Sequence, residues 1–293
     1  MPIDVPAAAR FLATSGRLVD RRRFELLVGE GDTEAVLAAL DAYRNADGGY
    51  GWGLEPDLRS PESQPIQALH AFEVMAECGV VTGRAVELCD WLATVALDDG
   101  GLPFTLPIGD PAGCAPWFGG ADPTTSSLQG TAAVLSEATR VAHQDAAVAA
   151  HPWFRGATAY CLDAIGAAAR LSAYETLFAL RFLEAVGEAG AALLARLAGG
   201  LPASGAIAVE GGLEGEHIHP LDYAPAPGSA LRSAVPADVV DADLLRVETG
   251  QQPDGGWTVD FASFSPRAAL DWRGYATLQA VRVLIDNGRQ KPL

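Results

Sequence analysis

The chain has 293 residues, 49% hydrophobic and 19% charged, with 37 acids against 20 bases and a net charge of −17. That length and apolar fraction allow a substantial core and exclude a disordered chain. The acidic balance argues against nucleic acid and anionic membrane surfaces as partners.

The Ala-rich stretches are interrupted by Glu137, Arg140, His143 and Asp145, so no run is long enough to span a membrane. The opening residues carry Asp4 and no long apolar core, which does not read as a secretory leader. Cys78, Cys89, Cys114 and Cys161 have no CxxC spacing and read as reduced, partly buried thiols. A cytoplasmic protein is the expectation.

In chain order, apolar periodicity predicts about six helical hairpins: 5–15 with 18–28, 32–45 with 62–78, and 82–97 with 123–139. Further pairs are 145–168 with 171–187, 188–199 with a poorly formed partner near 228–236, and 237–250 with 268–287. Strand signals are weak. Three hairpins carry a common turn: Asn45-Ala-Asp-Gly-Gly-Tyr50, Asp98-Asp-Gly-Gly-Leu102 and Gln252-Pro-Asp-Gly-Gly-Trp257. Val209-Glu-Gly-Gly-Leu213 is a weaker copy. The aligned acids Asp47, Asp99, Glu210 and Asp254 are expected to brace these turns. The first helix of each repeat is amphipathic; the second, as in Leu177, Phe178, Leu180, Phe182, Leu183 and Val186, is apolar nearly all round. An outer ring of helices around a buried inner ring is the simplest arrangement.

The segment Leu244-Leu-Arg-Val-Glu-Thr-Gly-Gln251-Gln-Pro-Asp-Gly-Gly-Trp257 resembles the glutamine–tryptophan repeat of squalene–hopene cyclases and other class II terpene cyclases. Protein prenyltransferase β subunits carry a similar repeat. The resemblance implies an all-α (α/α)6 toroid in a single domain over residues 1–293. It also implies an isoprenoid or other apolar substrate in the lumen, with acid-initiated cyclisation or isomerisation and no cofactor. A segment such as Gly53-Leu-Glu-Pro-Asp-Leu-Arg also looks like uncharacterised single-domain bacterial proteins of this kind. The catalytic Asp-x-Asp-Asp of class II cyclases is missing, and Asp241-Ala-Asp243 supplies two of its acids on an outer helix. The zinc set of prenyltransferases and the magnesium motif of class I synthases are missing too, so a non-catalytic binder of a hydrophobic metabolite or a partner enzyme stays open.

Protonating an alkene needs an acid in a dry pocket lined by aromatic faces. The candidates are acids near the starts of the inner helices: Glu55 and Asp57 in a long loop, Asp122 in Asp-Pro-Thr-Thr, and Asp222. Asp260 and Asp271 flank the last inner helix. Asp122 also reads as an ordinary helix N-cap. Trp52, Trp117, Phe118, Tyr223, Phe264 and Trp272 are candidates for lining a pocket. Trp257 reads as a packing residue of the repeat. His217-x-His219 reads as a solvated loop rather than a metal site, and His70 as a hydrogen-bonded core residue.

Overall fold

The computed structural model describes residues 3–291. It is mostly helical, with one two-stranded antiparallel sheet. The helices are α1 (Val5–Ser15), α2 (Leu18–Leu27), α3 (Thr33–Asp41), α4 (Pro65–Cys78), α5 (Gly83–Val95), α6 (Pro116–Gly119) and α7 (Leu128–Ala142). They continue with α8 (Ala146–Ala150), α9 (Pro152–Ala167), α10 (Ala173–Val186), α11 (Ala191–Gly199), α12 (Pro220–Tyr223), α13 (Ala237–Thr249) and α14 (Pro266–Asp286). The strands β1 (Ile207–Ala208) and β2 (His217–Ile218) form a hairpin pairing Ile207 with Ile218. Among the described residues no helix is long and apolar enough to cross a membrane.

Backbone contacts divide the chain into two compact units, Leu40–Leu197 and Met1–Ala39 with Ala198–Leu293. In the continuous unit, α4, α9 and α10 pack against α7. α4 is buried except at Leu69 and Glu77, and α7 except at Leu128, Gln129, Arg140 and Ala142. α5 buries only the stripe Ala85, Leu88, Cys89, Trp91 and Leu92. The contrast between enclosed and one-sided helices follows their apolar patterns. Local chemistry sets the starts: Pro65 takes the first position of α4, where its missing N–H costs nothing, and Ser127 Oγ caps α7 by accepting from Gly130 N. In α10, Ser172 and Glu175 form a reciprocal capping box.

In the unit built from both ends of the chain, α14 packs against α1, α2 and α13. A buried ion pair, Arg17 Nε to Asp20 Oδ2 at 2.7 Å, sits in α2 and the turn before it. The Arg23 guanidinium lies 3.6 Å from Asp20 and over the Tyr275 ring.

The three strong repeats share one turn geometry. The backbone N–H two residues after each acid donates to its carboxylate: Gly49 to Asp47 at 2.9 Å, Gly101 to Asp99 at 3.0 Å and Gly256 to Asp254 at 3.1 Å. The first glycine of each pair has φ of +91°, +88° and +94°, a region L side chains avoid. A Cβ on that glycine would also strike a backbone carbonyl of a neighbouring helix. Gly48 faces Glu87 of α5, Gly100 faces Gly156 of α9, and Gly255 faces Ala7 of α1.

One weaker repeat differs and one expectation is corrected here. Glu210 is exposed in the β1–β2 hairpin, where Gly212 N donates to Val209 O and Leu213 N donates to Glu216 Oε2. Asp122 is not a helix N-cap, because α7 starts only at Leu128 and Ser127 does the capping.

Candidate functional site

The buried polar groups of α4 recur every third residue: Gln64 at its N-cap, then Gln67, His70 and Glu73. At 3.6 residues per turn each rung is turned by about 60° from the one before, so neighbouring rungs adjoin while the row winds round the helix. Each rung holds something different. Gln64 clamps Leu106 through both ends of its amide, accepting from Leu106 N at 2.8 Å and donating to Leu106 O at 3.3 Å. Gln67 accepts from Glu55 N at 2.7 Å and donates to Leu58 O at 2.9 Å. His70 Nε2 lies 2.9 Å from Glu55 Oε2, and its Nδ1 lies 3.5 Å from Glu73 Oε2.

His70 therefore sits between two buried carboxylates, one at each ring nitrogen. Nε2 is hydrogen-bonded to Glu55, whereas Nδ1 is ion-paired with Glu73 rather than hydrogen-bonded to it, and the two negative charges favour the imidazolium. Burial opposes that charge, but the hydrogen bonds and charges of Glu55 and Glu73 outweigh it, and the His70 pKa rises to about 9. Farther along, burial and the nearby Glu73 push the Glu137 carboxyl of α7 upward, against the pull of Arg140 and Arg181. Glu137 is ion-paired with Arg140.

Above this ladder lies the loop that carries Glu55 and Asp57. Both are buried, at 6% and 4% exposure, although neither belongs to a helix. Glu55 Oε1 accepts from Asp57 N at 3.2 Å, and Asp57 O accepts from Ala115 N at 2.8 Å. Leu58 and Cys114 form an isolated antiparallel bridge. The loop is thus joined to the turn leading into α6. Beneath the pair, Leu58, Cys114, Ala115 and Phe118 pack with Ile66 and Ala133, and Phe104, Ile108 and Phe178 border the cluster. Phe104 and Phe118 stack with centroids 5.3 Å apart.

Two tryptophans of this region face solvent, Trp52 at 56% and Trp117 at 48% exposure. Trp52 has φ +60°, and no other non-glycine residue among those described has a positive φ. Its indole is fixed nonetheless, because Nε1 donates to Asn45 Oδ1 at 2.8 Å. Asn45 is held in turn by donating to Pro61 O and Ser63 Oγ.

The remaining candidates are differently placed. Asp122 is exposed, and bonds from Thr124 N, Thr124 Oγ1 and Thr125 Oγ1 hold its carboxyl below the usual range. Asp222, Tyr223, Phe264 and Trp272 belong to the other unit. There Asp222 Oδ2 accepts from His219 N, and the buried Tyr223 hydroxyl donates to Gly205 O. Trp272 lies within α14, not in a loop, with edge contacts to Phe261 and Tyr275; Phe264 is exposed at 44%. Asp271 likewise lies inside α14, paired with Arg267 at 2.9 Å. His219 Nε2 meets Asp260 at 3.1 Å. Among the described residues no group of three or more His, Cys, Asp or Glu is arranged to hold a metal. Trp257 Nε1 donates to Val247 O, and Gln251 clamps Asp4 by accepting from its N and donating to its O, both at 2.8 Å.

Gln64, Gln67 and Glu73 were not singled out in the sequence, although the run Gln64-x-x-Gln67-x-x-His70-x-x-Glu73 marks an unusual polar stripe on an apolar helix. The architecture is that of a mostly helical protein with a minor two-stranded sheet. No family model matches the sequence, and no curated protein matches it. A crystal structure of a protein from Actinoplanes is similar over 97% of this chain and 98% of that one, with a TM-score of 0.52 and 17% identity, which is a likeness of fold.

Proposed function

We propose that the chain is a terpene-cyclase-like (α/α)6 toroid that binds an isoprenoid or another apolar molecule, with the two-loop region around Glu55, Asp57 and Trp117 as its mouth. The repeated-hairpin plan on which that reading rests is supported by the like packing of the repeat turns. The first meets α5, the second meets α9, and the last returns to α1. Apolar binding rests on one observation above all: exposed Trp117 lies 6.1 Å, centroid to centroid, from Phe118 of an apolar cluster in which Phe118 stacks on Phe104. Aromatic faces set around a few fixed polar groups suit an apolar guest.

Acid-initiated cyclisation or isomerisation is the catalytic form of the proposal. Asp122 is poorly suited, being exposed and held ionised. Glu55 and Asp57 are better placed, and Glu137 is the carboxyl that burial keeps nearer its neutral form. Against catalysis, an imidazolium with a pKa of about 9 gives up its proton far too reluctantly to start an alkene cation. That observation favours the second form, a binder of a hydrophobic metabolite or partner enzyme.

Titration with farnesyl, geranylgeranyl and squalene-type compounds, followed by tryptophan fluorescence and product analysis, separates the forms. Saturable quenching that W117A weakens at least tenfold supports binding, and a cyclised product absent in E55Q and D57N supports catalysis. Neither quenching nor product with any of the three overturns the proposal.

A further inference from the structure

We infer that Asn287 is a latent modification site, where spontaneous deamidation turns the amide that closes α14 into a carboxylate that loosens its end. The chain holds only two asparagines, Asn45 and Asn287. Asn45 precedes Ala46, whereas Asn287 precedes Gly288. Deamidation needs the next backbone nitrogen to reach the asparagine Cγ, and a following glycine puts no side chain in the way. Gly288 is exposed, has φ +68°, and a Cβ built on it would meet nothing within 4 Å, so the junction faces open space. The Gly288 nitrogen, its proton lost to water, attacks Cγ; the Cγ–Nδ2 bond breaks and ammonia leaves with a proton from water. A second water opens the imide to aspartate or isoaspartate. In the balance one water is consumed, ammonium is released, and a carboxylate replaces a neutral amide.

The folded chain restrains this reaction and is also sensitive to its result. Asn287 Nδ2 donates to Val283 O at 2.8 Å and to Pro225 O at 2.9 Å, and Oδ1 accepts from Arg232 at 2.8 Å. Both amide hydrogens are thus engaged. The attacking atom is engaged too, since Gly288 N donates to Ile285 O at 3.0 Å. Ring closure has to wait until this turn opens. A carboxylate at the same position has no hydrogen to donate, so both bonds from Nδ2 are lost and a negative oxygen faces each carbonyl. That charge also stands at the negative end of the helix. Arg232 gains an ion pair and keeps its own bonds to Ala224 O and Pro225 O, so the 224–232 segment stays tied while the end of α14 loosens. Isoaspartate adds a methylene to the main chain and shifts Gly288 N from Ile285 O. The inference does not depend on the binding proposal.

The test incubates the full chain without ligand at mildly alkaline pH, folded in one arm and unfolded in guanidinium chloride in the other. Arg282 and Arg289 flank the site, so trypsin releases peptide 283–289, whose mass reports conversion. Asn287 is expected to convert between tenfold and a thousandfold more slowly in the folded chain, and faster than Asn45 in both arms. Amide hydrogen exchange on the converted chain should show protection at 285–288 reduced at least fivefold, with α4 and α7 unchanged. N287D should show the same loss, and the converted chain carries the test if that variant does not fold. Equal rates in the two arms, no conversion of the folded chain, faster conversion at Asn45, or unchanged protection at 285–288 overturns the inference.

Discussion

His70 makes the fold's stability sensitive to pH in a direction set by its surroundings. Its folded pKa of about 9 lies above the unfolded value near 6.5, so its contribution is complete below pH 6.5 and is lost as pH rises through 9. The shift corresponds to a contribution on the order of 3 kcal/mol. Glu137 acts in the same direction from lower pH, because its folded pKa is also raised. Urea denaturation from pH 6 to 10 should therefore show falling stability in the wild type and a flatter profile in H70Q. Trp52 allows a separate check of backbone strain. W52G and W52A remove the same indole contacts, but only glycine relieves the positive φ, so W52G should exceed W52A in stability by about 1 kcal/mol.

At the level of the element, the repeat turn is held at both ends. Its acid accepts from the glycine amide, and a threonine on the following helix receives the next residue. Leu102 N donates to Thr131 Oγ1 at 2.8 Å, and Trp257 N donates to Thr277 Oγ1 at 3.0 Å. T131V keeps the volume and abandons a buried N–H, which should cost about 1–3 kcal/mol in chemical denaturation. G255A should be worse, at about 2–4 kcal/mol, since it combines positive φ with a Cβ 2.3 Å from Ala7 O. G48A, whose Cβ would lie 3.0 Å from Glu87 O, should be milder, and the order of the two is the check.

These turns show why much of the fold was legible. Asp-Gly-Gly is a local device, and helical periodicity is a local signal, so the hairpins and their turns could be read residue by residue. The misplaced pieces were settled by competition or by distance. Asp122 offered a plausible cap, but Ser127 sits directly before the helix and takes that role. The partnership of His70 with Glu55 spans fifteen residues, and no pattern of spacing announces it. The threefold polar stripe on α4 was visible in the sequence, but what each rung would grip was not.

On the scale of the whole molecule, one compact unit is continuous and the other is assembled from both ends of the chain. Gln251 is a fastening between those ends, since its amide satisfies both the N–H and the carbonyl of Asp4. Q251A should raise hydrogen exchange in the first turn of α1 at least tenfold while α4 and α7 are unchanged. Equal exchange throughout would mean that this fastening carries no local stability.

The same division has a consequence during synthesis. Phe11, Leu12, Val19 and Phe24 of α1 and α2 are buried in a unit whose other principal helix, α14, starts only at Pro266. At about 5–20 residues per second, the ribosome makes α14 on the order of ten seconds or more after α2 has emerged. The continuous unit, meanwhile, has all its residues available once Leu197 is out. Helices α1 and α2 are thus made long before the partner they pack against. Their apolar faces wait on a nascent chain, where a holding chaperone has its clearest opportunity.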